Sequence, residues 1–208
     1  MEHKVIVVGI GPGSPDYMLP IAKQAIEAAT VIAGSQRALD SFAPAGACKK
    51  VIGADIDDVI QFISSKRSAS DVVVMVSGDP GYYSLLAALR KTFSVQQLKV
   101  IPGVSSFQLA FARLGLPWQD ATLVSMHGRE PDKTLIQYSP KKKMGILTDS
   151  HYTPRHIAQV LLDQGWPLTS SVWICARLSY ENEEIIHSDL RQTCLIEGFS
   201  HCVMVVTE

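Results

Sequence analysis

Residues Val5–Val8 form an apolar, β-branched run with no polar alternation, and it leads straight into Gly9-Ile10-Gly11-Pro12-Gly13-Ser14-Pro15. A strand of that kind is covered on both faces, the situation of a parallel strand inside an α/β sheet. Glycine at three alternating positions lets the main chain take positive φ and lets a ligand approach the backbone closely. Together they predict a ligand loop at the carboxyl end of a first parallel strand.

A dinucleotide fingerprint does not fit this loop. G-x-G-x-x-G needs glycine where Ser14 stands, and Pro12 deletes an N–H from a loop that would have to donate to pyrophosphate. The acidic residue expected about 20 positions on is also missing, since the run Thr30–Ala33 ends in Gly34-Ser35. No Gly-Lys-Ser/Thr of a P-loop occurs. The net charge of −1 gives no field for nucleic acid or an anionic membrane, so an acidic ligand needs local cations. No apolar run approaches the ~20 residues of a membrane span. Cys48, Cys175, Cys194 and Cys202 show no C-x-x-C spacing and read as reduced cysteines of a cytoplasmic protein, with no metal site expected.

Strand and helix signals alternate along the chain. Helices are expected at Asp16 to Ala29, from Ser35 to Asp40, after Asp55 (Ile56, Val59, Ile60 and Ile63 on one face) and at Tyr83 to Lys91. Strands are expected at Val51-Ile52, Val72–Val76 and Leu98–Ile101, the latter two running into Ser77-Gly78-Asp79-Pro80-Gly81 and Pro102-Gly103-Val104-Ser105-Ser106. Gly115-Leu116-Pro117-Trp118 breaks the pattern, which sets the expected boundary between domains 1–115 and 116–208. Beyond it come strands at Thr122–Ser125, Gly145–Leu147, Val172–Ala176, Glu184–Ile186 and Val203–Val206, a short helix near Asp132–Tyr138, and a helix capped by Thr153-Pro154 and closed by Gly165. The first half reads as α/β with a mostly parallel sheet, the second as α+β with a mixed sheet.

Three turns in this order, Gly9-Ile10-Gly11-Pro12-Gly13, Ser77-Gly78-Asp79-Pro80 and Ile101-Pro102-Gly103-Val104-Ser105-Ser106, resemble those of the tetrapyrrole (corrin/porphyrin) methyltransferases. The resemblance spans essentially the whole chain, and Val104–Trp118, Leu147–Pro154 and Cys175–Glu184 look most like the cobalt-precorrin C-5 methyltransferase branch of cobalamin biosynthesis. It implies two α/β domains with S-adenosylmethionine in the cleft between them. Gly9, Gly11, Pro12 and Gly13 would shape the substrate side. Gly78, Asp79, Tyr82, Ser105, Ser106, Leu147, Thr148, Ala176 and Arg177 would line the cofactor. Many relatives carry Gly-Gly-Asp-Pro where Ser77 replaces the first glycine here. A homodimer is implied as well.

Several of these residues keep a plainer reading open. Asp79 between glycine and proline suits a turn, and Ser105 or Ser106 suits a helix cap. His127 just past a strand is a candidate for the cleft and a weaker one for acid–base work, with simple packing or exposure as the alternative. Arg129 and Arg177 are the cations best suited to gripping a substrate carboxylate. Methyl transfer needs no covalent protein intermediate, and no Ser–His or Cys–His nucleophile pair stands out; positioning is the expected device. The competing readings are another substrate on the same fold (a different precorrin position, ribosomal RNA or a modified protein histidine) and a sensor that binds without turnover. Two domains filling 208 residues leave no room for a C-15 methylating, decarboxylating unit, so that chemistry is expected on a separate protein.

Overall fold

In the computed structural model, which describes residues 3–208, the apolar run becomes strand β1 (Val5–Gly9). After it come a 3-10 turn at Pro15–Tyr17, helix α1 (Pro20–Glu27), β2 (Val31–Gly34), α2 (Gln36–Phe42), β3 (Cys48–Val51), α3 (Ile56–Arg67), β4 (Val72–Val76), α4 (Leu86–Thr92), a second 3-10 turn at Val95–Gln97 and β5 (Leu98–Ile101). The five strands form one parallel sheet in the order β3-β2-β4-β1-β5. Alternate residues serve opposite faces. Val5, Val7 and Val74 pack with Val59 and Ile63 of α3, whereas Val8, Val73 and Met75 pack with Ile26 of α1 and Leu39 of α2. Helices on both faces explain why β1 and β4 carry no polar alternation.

Local chemistry accounts for most helix starts. Ser35 Oγ accepts from Ala38 N, and Asp55 Oδ1 accepts from Asp58 N with Asp57 and Asp58 in the first turn of α3, where the helix dipole favours negative charge. Two expected starts are displaced. The first helix begins at Pro20 instead of Asp16, because the residue before a proline is driven to extended backbone and Leu19 has ψ 141°. The fourth begins at Leu86 instead of Tyr83, whose φ of +45° is left-handed.

The chain divides into two units, Met1–Ser105 and Ser106–Glu208. The second holds α5 (Ser106–Leu114), β6 (Ala121–Ser125), α6 (Lys133–Ile136), β7 (Lys143–Leu147), α7 (Pro154–Asp163), β8 (Ser171–Ala176), β9 (Glu184–Asp189), α8 (Leu190–Thr193) and β10 (Val203–Thr207). Its sheet runs β6-β7-β10-β8-β9, with β6 and β7 parallel and the remaining pairs antiparallel. This is the expected mixed sheet. The division falls ten residues before the expected 115/116 boundary. Gly115, at φ +63°, ends helix α5 but does not end a unit. The Phe107 ring of α5 packs against Gly145 of β7, where a Cβ would sit 2.9 Å from it, so the helix is packed into the second core. The opposite face buries Ile157, Ala158 and Leu161 of α7 with Val172 and Ile174 of β8, and Trp166 Nε1 donates to Ile136 O at 2.8 Å. Among the described residues no helix is long and apolar enough to cross a membrane.

Candidate functional site

Strand order places β4, β1 and β5 side by side, so the three glycine-bearing turns that follow them share one sheet edge. Gly78 N donates to Gly11 O at 2.8 Å, and Ile10 N donates to Val76 O at 3.0 Å. A Cβ on Gly103 would stand 2.3 Å from Gly78 O, and one on Gly9 would stand 2.7 Å from Gly103 N. The loops therefore touch main chain to main chain, which only glycine permits. Gly11 and Gly78 also turn through left-handed φ, +77° and +66°. Pro12 and Gly13 complete the first loop, both half-buried.

Asp79 locks this arrangement. Its Oδ1 accepts from Gly81 N at 2.7 Å and its Oδ2 from Gly103 N at 3.0 Å, so one carboxylate spans the second and third loops. The expectation that Asp79 faces a ligand therefore meets a carboxylate already engaged on both oxygens by backbone. Tyr82 follows half-buried, edge-on to the exposed ring of Tyr83 with centroids 4.7 Å apart. Ser105 Cα lies 3.7 Å from the point a Gly78 Cβ would occupy, and Ser106 is the first residue of α5. These bonds have a chemical consequence. The amides of Ile10, Gly78, Gly81 and Gly103 are turned inward, and Pro12 has none, while a carboxylate sits at the edge. The arrangement suits a ligand that is cationic or neutral where it meets the loops and disfavours a diphosphate.

In the second unit, loops after β6 and β7 meet the chain entering β10. Thr148 is buried; its hydroxyl donates to Cys202 O at 3.1 Å and accepts from Cys202 N at 2.8 Å. Leu147 and Ala176 end the strands on either side of β10, Leu147 half-buried and Ala176 buried. Asp149, not anticipated from sequence, repeats the role of Asp79. It accepts from Gly128 N at 2.7 Å, His151 N at 2.8 Å and Tyr152 N at 2.6 Å. The Gly128 amide holds its carboxyl below the usual carboxylate range against the opposing effect of burial, aided by the Tyr152 and His151 amides and by His127. The signal that could have found it is the same one as for Asp79, an aspartate directly after a buried strand.

His127 is exposed, with Nδ1 3.4 Å from Thr148 O and its ring edge-on to His201 at 5.6 Å. His201 is held at φ +52° beside buried Cys202. The Arg129 side chain turns back on its own loop, Nε reaching His127 O at 3.5 Å. Arg177, at φ +51°, donates through Nε to Asn182 O at 2.8 Å and pairs with Glu184, which ties it to the β8–β9 hairpin. Burial pushes the Cys175 thiol up to about 12 and raises that of Cys202, so neither is a thiolate nucleophile near neutral pH.

Residues 4–194 match the family described as Tetrapyrrole (Corrin/Porphyrin) Methylases. The chain belongs to that family. This tetrapyrrole methylase is 35% identical over 179 residues to the cobalt-precorrin-7 C(5)-methyltransferase of Salmonella typhimurium, covering 86% of this chain and 87% of the relative. It is similar to the crystal structure of a cobalamin biosynthesis precorrin-6Y methylase from Archaeoglobus fulgidus, with TM-score 0.73, 27% identity and coverage of 99% and 98% of the two chains. It also superposes on the methyltransferase CobJ with TM-score 0.81 over 99% of this chain and 94% of that one, but at 20% identity, a likeness of fold alone.

Proposed function

We propose that this tetrapyrrole methylase transfers one methyl group from S-adenosylmethionine to C-5 of a cobalt-precorrin, cobalt-precorrin-7, in cobalamin biosynthesis. The observation that carries the cofactor class is the interlocked loop set of the first unit, with its inward amides and its Asp79 carboxylate. The position on the macrocycle is supported by the 35% identity to the Salmonella C(5) enzyme over most of both chains. Fold likeness alone does not choose a position, since CobJ superposes as well.

The residues present fit S-adenosylmethionine. A glycine-walled edge admits a flat adenosine close to the main chain, and a carboxylate favours a sulfonium over a phosphate. In this reading Gly78, Asp79, Tyr82, Ser105, Ser106, Leu147, Thr148, Ala176 and Arg177 hold the cofactor, which supplies an electrophilic methyl. Gly9, Gly11, Pro12, Gly13, Arg129 and Arg177 meet the macrocycle. The protein's contribution is orientation: Asp79 and Asp149 fix their loops before any ligand arrives, so less ordering remains to be done on binding. The protein acts as a homodimer and leaves C-15 methylation and decarboxylation to a separate partner enzyme.

The test is incubation of the purified protein with cobalt-precorrin-7 and methyl-labelled S-adenosylmethionine, with the product analysed by mass spectrometry and NMR. One labelled methyl on C-5 and no carbon dioxide are expected. A methyl at another carbon, a second methyl, or transfer to RNA or protein instead would overturn the assignment. Sedimentation of the purified protein as a monomer would remove the homodimer.

A further inference from the structure

Replacing hydrogen by methyl at a ring carbon must release a proton. The carbon's π pair forms the bond to the methyl, and the carbon–sulfur bond breaks with its pair left on sulfur. The carbon–hydrogen bond then breaks, its pair returns to the macrocycle, and a base takes the proton. In the interlocked loops of the first unit the one carboxylate, Asp79, is engaged through both oxygens by main-chain amides.

The second unit offers a base. A carbonyl oxygen can only accept, so the 3.4 Å contact of His127 Nδ1 with Thr148 O places the ring proton on Nδ1 and leaves the Nε2 lone pair available. The ring is exposed, so a flat substrate can reach it. Asp149 anchors both loops that carry this contact, through Gly128 N on one side and His151 N and Tyr152 N on the other. His201 packs edge-on against the His127 ring. The charged and titratable groups around the imidazole are thus Asp149 from the loop after β7, His201 from the chain entering β10, and Arg129 from its own loop.

We infer that His127 Nε2 is the acceptor for the proton released from the methylated carbon, with the Thr148 carbonyl fixing its tautomer, Asp149 as the positioning residue that anchors the loops carrying that contact, and His201 as the packing partner of its ring. The proton leaves to water from the exposed imidazolium. This inference rests on the methyltransferase reading and adds to it a residue with a defined chemical task.

Two experiments test it. Nitrogen-15 NMR of the ligand-free protein near neutral pH should show His127 as the Nδ1–H tautomer; an Nε2–H tautomer overturns the inference without any turnover measurement. In steady-state kinetics with cobalt-precorrin-7, His127→Gln should lose about 100-fold or more in kcat. Its affinity for S-adenosylhomocysteine should stay unchanged, and imidazole added to His127→Ala should restore part of the rate. Asp149→Asn should lower kcat with little change in the corrinoid KM, because the loops that carry the His127–Thr148 contact lose their anchor; a change in KM alone overturns the positioning role. A wild-type protein that methylates the corrinoid while His127→Gln keeps its kcat overturns the inference and leaves the function standing. A wild-type protein inert toward every corrinoid overturns both.

Discussion

Replacing Asp79 by alanine separates the turn role of this residue from a ligand role. The wild-type carboxylate accepts two main-chain bonds, at 2.7 Å from Gly81 N and 3.0 Å from Gly103 N. A hydrogen bond to a charged group contributes about 1.5–3 kcal/mol. Gly81 is exposed and water replaces its partner, so that bond belongs at or below the low end; Gly103 is half-buried and belongs within the range. The expected loss for Asp79→Ala is about 2–3 kcal/mol, confined to the first unit. With a urea slope of about 1–3 kcal/mol per molar, the midpoint falls by about 0.7–3 M. The assay can assign the loss to a unit because Trp118, Trp166 and Trp173 all lie in the second one. Circular dichroism should therefore move further than tryptophan fluorescence. Calorimetry with S-adenosylhomocysteine should show weaker binding even in the absence of urea, since the loops lose their mutual anchor. A stability change below about 0.5 kcal/mol, within the range of an ordinary surface substitution, would refute the clamp.

Four further outcomes are expected. Gly103→Ala drives a Cβ into Gly78 O, a backbone atom that cannot turn aside, so the loops must part; binding of S-adenosylhomocysteine should be lost by calorimetry, while tight binding would show that the contact is dispensable. Asp149 has a depressed carboxyl in the folded protein, so its contribution is present above the ordinary value of about 3.9 and is lost as pH falls through the folded value; between pH 6 and pH 3 the urea midpoint of the wild type should fall further than that of Asp149→Asn, and equal falls would contradict this. Arg129→Ala should raise the corrinoid KM about tenfold, the equivalent of one charge-assisted bond. Arg177→Ala should raise the corrinoid KM as well, while costing less than about 1 kcal/mol of stability because the pair it breaks with Glu184 is exposed; unchanged kinetics in both variants would return them to the ordinary surface.

Much of the local structure could be read from sequence because its causes are local. The all-apolar runs of β1 and β4, the caps at Ser35, Asp55 and Thr153, and the prolines at helix starts each act within a few residues. The three glycine turns also announced themselves as a set. What sequence could not supply was adjacency: only the order β4-β1-β5 brings those turns together, and only then does Gly103 need to be glycine on account of Gly9 and Gly78. Asp79 and Asp149 make the same point from the side of charge. Each looks like a turn residue in its own segment, and each proves to hold amides from loops 24 or 21 residues away. The division between the units lies at Ser105/Ser106 for a related reason. Gly115 and Pro117 mark the end of a helix, but whether that helix belongs to the core before it or after it depends on the groove that Gly145 leaves open for Phe107. Strand character, caps and turns were thus determined by neighbours along the chain, whereas strand order, loop anchoring and the membership of α5 were decided by packing between residues far apart in sequence.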